Sequence, residues 1–269
     1  MLTTDPKYEN GFAPMKSDVW ITFLSVCNWT DAELWNEFLK QLESLMEDKI
    51  VKLDDKDPVR RKADTSNNEG GFVINFGAKE DSRWIRGKFS RSKVEFEIQI
   101  YKAGVDSFGK TRENSFDLFV PHAMSFKPDA EKLIAVFRYA AERLGAFYAY
   151  ADLKDGICSK KPCTPSLDIS RELLGVFWLT YFGPSYCDFF MRKILLNQSE
   201  ATYGPLQGMT LQLAETPGQI TIERRSAIEA SLGKHSFAGS GVEKLPGQYA
   251  LTLENLSSDP LGKKASSPL

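Results

Sequence analysis

Val19-Trp20-Ile21-Thr22-Phe23-Leu24-Ser25-Val26-Cys27 is β-branched and aromatic throughout, and it reads as a strand. Directly behind it, Thr30-Asp31-Ala32-Glu33 matches a capping box. In that motif the threonine hydroxyl accepts from the Glu33 amide while the glutamate returns to the threonine amide. Trp35, Phe38, Leu39, Leu42, Leu45 and Met46 then recur at helical spacing. Working outward, residues 94–101 set Val94, Phe96, Ile98 and Ile100 against Glu95, Glu97 and Gln99. That period of two belongs to an antiparallel sheet with one wet face. Residues 71–76 and 115–120 are strand candidates on either side of it. Pro128 opens a second helix, with Leu133, Ile134, Val136, Phe137, Ala140, Ala141 and Leu144 turned inward, and Gly145 suits its left-handed end.

Residues 146–151 return as a strand and 155–165 read as a loop. A second pattern then begins: a strand over 176–182, a Gly183-Pro184 break, and a helix over 185–196. Pro184 fits a first helical turn, where its missing amide donor has no partner to lose. Strands at 209–214 and 219–223 flank a Pro217-Gly218 turn, followed by a short helix at 226–232 and a strand at 249–253. The order strand–helix–strand–strand thus occurs twice. The expected fold class is α+β, largely antiparallel sheets with packed helices in two similar halves, rather than a doubly wound parallel fold. Residues 1–16 read as a flexible arm and 17–256 as a single domain with pseudo-halves 17–168 and 169–256. Residues 257–269 read as a disordered tail.

Hydrophobic residues make up 42% of the 269, with 18 phenylalanines, which is ample material for a packed core and excludes disorder for the bulk of the chain. The 34 basic and 36 acidic side chains nearly cancel, so the basic excess of a protein built to grip bare nucleic acid is missing. The N-terminus has no basic region leading into an apolar stretch, so no secretory signal is read there. The longest apolar run, 173–182, is far short of the roughly 20 residues that span a bilayer. Cys27, Cys158, Cys163 and Cys187 are read as structural or incidental thiols of a reduced, cytoplasmic protein, because a chain this large needs no staples.

No catalytic constellation is recognisable in the sequence. His122 and His235 stand outside any metal-ligand spacing. Gly233-Lys234-His235 resembles the end of a phosphate-binding loop, but Ile228 stands where the first glycine belongs and His235 where the hydroxyl belongs. Neither a Gly-x-Ser-x-Gly elbow nor a dinucleotide fingerprint is present. Cys187, among Tyr186, Phe189 and Phe190, reads as a small core residue. No catalytic residue, cofactor site or metal site is expected. That favours a binding protein over an enzyme; the alternatives are an enzyme with dispersed catalytic residues and an adaptor subunit of a larger assembly.

The segment Trp178-Leu179-Thr180-Tyr181-Phe182-Gly183-Pro184, followed by a helix, resembles the Trp-x-x-Tyr-Phe-Gly-Pro region of bacterial immunity proteins, and is similar to that of the immunity protein 52 family. The similar layout runs over about residues 17 to 225 and includes Gly208-Met209-Thr210-Leu211-Gln212-Leu213 with its Pro-Gly turn. The resemblance implies a stoichiometric cytoplasmic inhibitor of a toxin delivered by contact-dependent or type VI secretion. It further implies that the toxin partner is a nuclease with a restriction-endonuclease-like fold. Trp178 and Tyr181 read as fold determinants rather than contact residues.

A nuclease presents a basic groove to its substrate, so its inhibitor gains on-rate and specificity from an acidic surface. The helix over 31–48 is the most one-sided element, with Glu33, Glu37, Glu43 and Glu47 on its outward face against Lys40. With the adjoining Asp54, Asp55 and Asp57 it is the expected partner-binding surface. Neither nucleic acid nor a membrane is an expected partner.

Overall fold

The structure, a computed structural model, describes residues 18–54, 82–101, 112–160, 172–194, 201–205, 207–238 and 256. The expected arm, the strands at 71–76 and 249–253, Asp55, Asp57, Cys163 and the tail lie outside the described residues. In chain order the elements are β1 (Val19–Ser25), α1 (Ala32–Met46), β2 (Ile50–Asp54), β3 (Ser82–Phe89), β4 (Glu95–Tyr101) and β5 (Asn114–Val120). There follow α2 (Asp129–Arg143), β6 (Tyr148–Leu153), α3 (Lys154–Cys158), β7 (Leu179–Phe182), α4 (Pro184–Ile194), β8 (Ala201–Tyr203), β9 (Met209–Gln212) and α5 (Ile222–Leu232). The fold class is α+β, as the periodicities predict.

Among the described residues all nine strands join one sheet, in the order β2-β3-β4-β5-β1-β6-β7-β9-β8, and every neighbouring pair is antiparallel. The strand–helix–strand–strand order recurs as β7–α4–β8–β9, and the β6–β7 pairing carries the sheet from one half into the other. Alternation decides the faces. Ile21, Phe23, Phe96, Ile98, Phe116 and Leu118 form one buried face, covered by α1 and α2 through contacts such as Phe38–Phe116 and Phe23–Phe137. The opposite face is divided. Over β6 and β7 it packs on α4, where Phe182 meets Phe190. Over β3, β4, β5 and β1 it presents Arg86, Glu97, Asp117 and Thr22.

Gly87 shows how tightly the strands are paired. It stands opposite Phe96, whose ring lies over the glycine and fills the place a side chain would take.

Several local expectations need correction. Asp31, not Thr30, caps α1: its carboxylate accepts from the Glu33 amide at 2.9 Å. The Thr30 hydroxyl is already committed to the side chain of Asn28, at 2.7 Å. Strands β2 and β3 stand where no strand is predicted, since their outward positions carry lysine, arginine and serine. Residues 219–223 are no strand. Thr221 caps α5 there, accepting from the Arg224 amide at 3.2 Å, and Ile222 points into solvent. The Pro217-Gly218 turn is present, with Gly218 at φ +80°. Gly145 at φ +56° ends α2 as predicted. Residues 154–158 are helical rather than loop.

Cysteine usage also differs. Cys158 is disulfide-bonded, against the expectation of a thiol, while Cys27 and Cys187 are free and buried. Among the described residues no helix is long and apolar enough to cross a membrane.

Candidate functional site

The acidic residues of α1 do not share one fate. Glu33, Glu37 and Glu47 are exposed, whereas Glu43 is 5% exposed and belongs to the core, not to the outward face. One Glu43 oxygen accepts from the Ile50 amide and the other from Lys49 Nζ, both at 2.8 Å, so the carboxylate pins the start of β2 beneath α1. Asp54 is likewise buried, at the end of β2. Helix α2 supplies cations to two exposed acids: Arg143 donates to Glu37, and Lys132 reaches Glu47 at 2.6 Å. Lys132 holds the Glu47 carboxyl below its ordinary value. Among the described residues Glu33 is the one glutamate of the four with no cation against it.

Asp48, just past the helix, is also inward. Burial pushes its carboxyl up, but hydrogen bonds from Ser92, Arg91 and Lys49 outweigh this and bring it down to about 2. It ties the β3–β4 turn to the end of α1.

A second cluster arises only from strand register. Asp54, Arg86, Glu97, Asp117, Thr22, Tyr150 and Thr180 come from β2, β3, β4, β5, β1, β6 and β7, and each stands directly opposite the next. Together they form one polar row across seven adjacent strands. Arg86 Nε pairs with Glu97 at 2.9 Å. Thr22 Oγ1 donates to one Asp117 oxygen at 2.7 Å and Ser115 Oγ to the other at 3.1 Å. Burial pushes the Asp117 carboxyl up to about 7; Glu97 adds to the rise, and the two hydroxyls oppose it. Burial also raises the Tyr150 phenol.

Aromatic rings flank the row. Trp20 meets Phe119 edge-on, with the Lys154 ammonium 5.5 Å from the indole centre. Exposed Trp84 lies 5.7 Å from the Arg86 guanidinium. Like charges placed directly opposite one another destabilise a sheet, and perturbed titration of this kind marks candidate functional positions. Asp117 was legible in sequence only as a polar residue between Phe116 and Leu118.

The Trp178–Pro184 segment serves architecture. Trp178 donates from its ring to Ala214 O at 3.1 Å, and its amide donates to Asp152 at 3.2 Å. Tyr181 packs its hydroxyl against Gly208 and lies 3.4 Å from Glu142. Both rings are fully buried, as expected of fold determinants. Pro184 starts α4, and Cys187 Sγ donates to Phe182 O at 3.2 Å. Burial pushes that thiol up to about 12, which leaves it a poor nucleophile at neutral pH. Ser125 Oγ lies 3.3 Å from His122 Nδ1 within one short turn, a local contact with Ser125 buried. Among the described residues no group of three or more His, Cys, Asp or Glu side chains is placed to hold a metal ion.

No family model matches the chain, and no curated protein matches it. Among solved structures, the chain is similar to the T6SS (type VI secretion system) protein PA0821 of Pseudomonas aeruginosa. The likeness has a TM-score of 0.54 at 15% identity and covers 93% of this chain and 86% of that one. At that identity the likeness establishes a shared fold over nearly the whole length of both proteins.

Proposed function

We propose that this chain is an immunity protein of a type VI secretion system, which binds a cognate toxin stoichiometrically, covers its active surface and transforms no substrate itself. The observation that carries this reading is the fold shared with a type VI secretion protein across 93% of the chain. The Trp178–Pro184 resemblance points the same way. The toxin we infer is a nuclease. Co-expression with the toxin encoded beside this gene tests the reading: cells survive and the two proteins co-purify. Cell death despite abundant folded protein would remove it.

The exposed acids of α1 are the contact surface we assign to that partner. Their present partners, Arg143 and Lys132, are themselves partly exposed. Exposed pairs of that kind are weak and screened by solvent, so a basic groove can displace them. Charge reversal at Glu33, Glu37 and Glu47 together should lower toxin affinity about tenfold or more, chiefly through a slower on-rate that depends on salt. Glu43 is left out because a lysine there would be buried against Lys49 and unfold the α1–β2 junction. Unchanged association kinetics in the triple variant would rule out the helix face.

A further inference from the structure

Asp117 and Glu97 stand directly opposite each other on adjacent antiparallel strands. In that position side chains approach to about 5 Å, and two ionised carboxylates there repel. Glu97 has a cation, Arg86 at 2.9 Å on its far side, and this fixes it as the ionised member. Among the described residues the groups that face Asp117 are Glu97 from β4, Thr22 from β1 and Ser115 on its own strand; Tyr150 of β6 lies beyond Thr22, and Arg86 of β3 beyond Glu97. Among the described residues no cation faces Asp117 itself. Among the described residues both of its hydrogen-bond partners are hydroxyls. A hydroxyl donates to a carboxylate and accepts from a carboxylic acid, so the site accommodates either protonation state without rearranging the strands.

We propose that Asp117, set opposite the ionised Glu97, makes this face of the sheet a pH-responsive element, with one more negative charge in mildly alkaline than in mildly acidic solution. On acidification a solvent proton binds an Asp117 oxygen, and Thr22 turns its own hydrogen away to accept it. On the alkaline side the proton leaves, and Asp117 then carries its charge opposite Glu97. The sign for stability follows. A carboxyl held by the fold at about 7 against an ordinary 3.8 binds more protons folded than unfolded between those values. Its contribution to stability is therefore full below the lower value and lost as pH rises through the upper one. The effect is independent of the toxin reading and stands if that reading fails.

Carboxyl-detected NMR titration of the full chain tests it, with Asp117→Asn to assign the resonance and Glu97→Gln to remove the neighbour. The expected result is an Asp117 midpoint above about 6 that falls by half a unit or more in Glu97→Gln. Should Asp117→Asn fail to fold, Thr22→Val assigns the same resonance by raising its midpoint, because the carboxylate loses a donor. A midpoint below about 6 in the unaltered protein overturns the proposal, and so does a high midpoint that ignores Glu97→Gln, since burial alone would then explain it.

Discussion

Asp152→Ala should lower the unfolding free energy by about 3–5 kcal/mol, the usual cost of stranding one member of a buried ion pair. Asp152 is fully buried at the end of β6, and Arg225 from α5, 7% exposed, donates to its Oδ2. The same carboxyl accepts from the amides of Leu153, Trp178 and Gly218. One side chain therefore fastens α5, the approach to β7 and the Pro217-Gly218 turn to the middle of the sheet. Burial raises its carboxyl, and Arg225 with the three amides opposes the rise. With alanine in place the guanidinium keeps Gly156 O at 3.3 Å and the face of Phe177, but its Nε is already without a partner.

Arg225→Met should cost less, because the remaining carboxyl keeps three amide donors and can take up a proton. The ordering is the informative part, read from urea unfolding of both variants: Asp152→Ala below Arg225→Met, with unaltered slopes. Equal losses would mean that the guanidinium, not the carboxyl, organises this junction. Glu229 completes the arrangement beside it, accepting from the Val176 amide at 3.0 Å and pairing with Lys160 at 2.5 Å.

None of that junction is visible in sequence, and the reason is distance along the chain. Asp152 and Arg225 are 73 residues apart, and Glu43 looks identical to its exposed neighbours until Ile50 and Lys49 fold back on it. Patterns that depend on near neighbours were legible: the apolar stripes of α1 and α2, the alternation of β4, the Gly145 and Pro184 helix boundaries. Where two near-neighbour rules competed, the wrong one looked stronger. Ile220 and Ile222 suggest a strand, yet the Thr221 hydroxyl captures the Arg224 amide and starts a helix. Thr30 loses its cap role to Asp31 because Asn28 reaches it first.

Glu33, Glu37 and Glu47 are exposed, as the periodicity of α1 predicts, but Lys132 and Arg143, which offset two of these charges, arrive from α2 and are not visible in the α1 segment itself. Asp117 was beyond reach for a related reason. Its position opposite Glu97 depends on a register set over the whole β4–β5 pair, and Thr22 is 95 residues away.

Gly183→Ala should be nearly as damaging as loss of Asp152, for a purely steric reason. A Cβ at Gly183 would lie 2.6 Å from the carbonyl oxygen of Ala146 and 2.9 Å from the Cα of Phe147, and both are backbone atoms that cannot swing aside. The close approach exists because the Gly183 amide donates to Phe147 O at 2.8 Å, where β6 begins and β7 ends. Relief requires the two strands to separate, which breaks that bond and loosens the Tyr148–Phe182 pair beneath Phe190. Overpacking of a rigid core costs about 1–3 kcal/mol, and a clash against backbone on both sides belongs at the upper end. For a domain of this size each kcal/mol moves the melting temperature by roughly 2–4 °C, so a drop of about 6–12 °C is expected in a thermal melt. A Gly183 variant that melts with the unaltered protein would mean the β6–β7 seam is looser than its geometry, and the glycine of the Tyr-Phe-Gly-Pro segment would need a role other than packing.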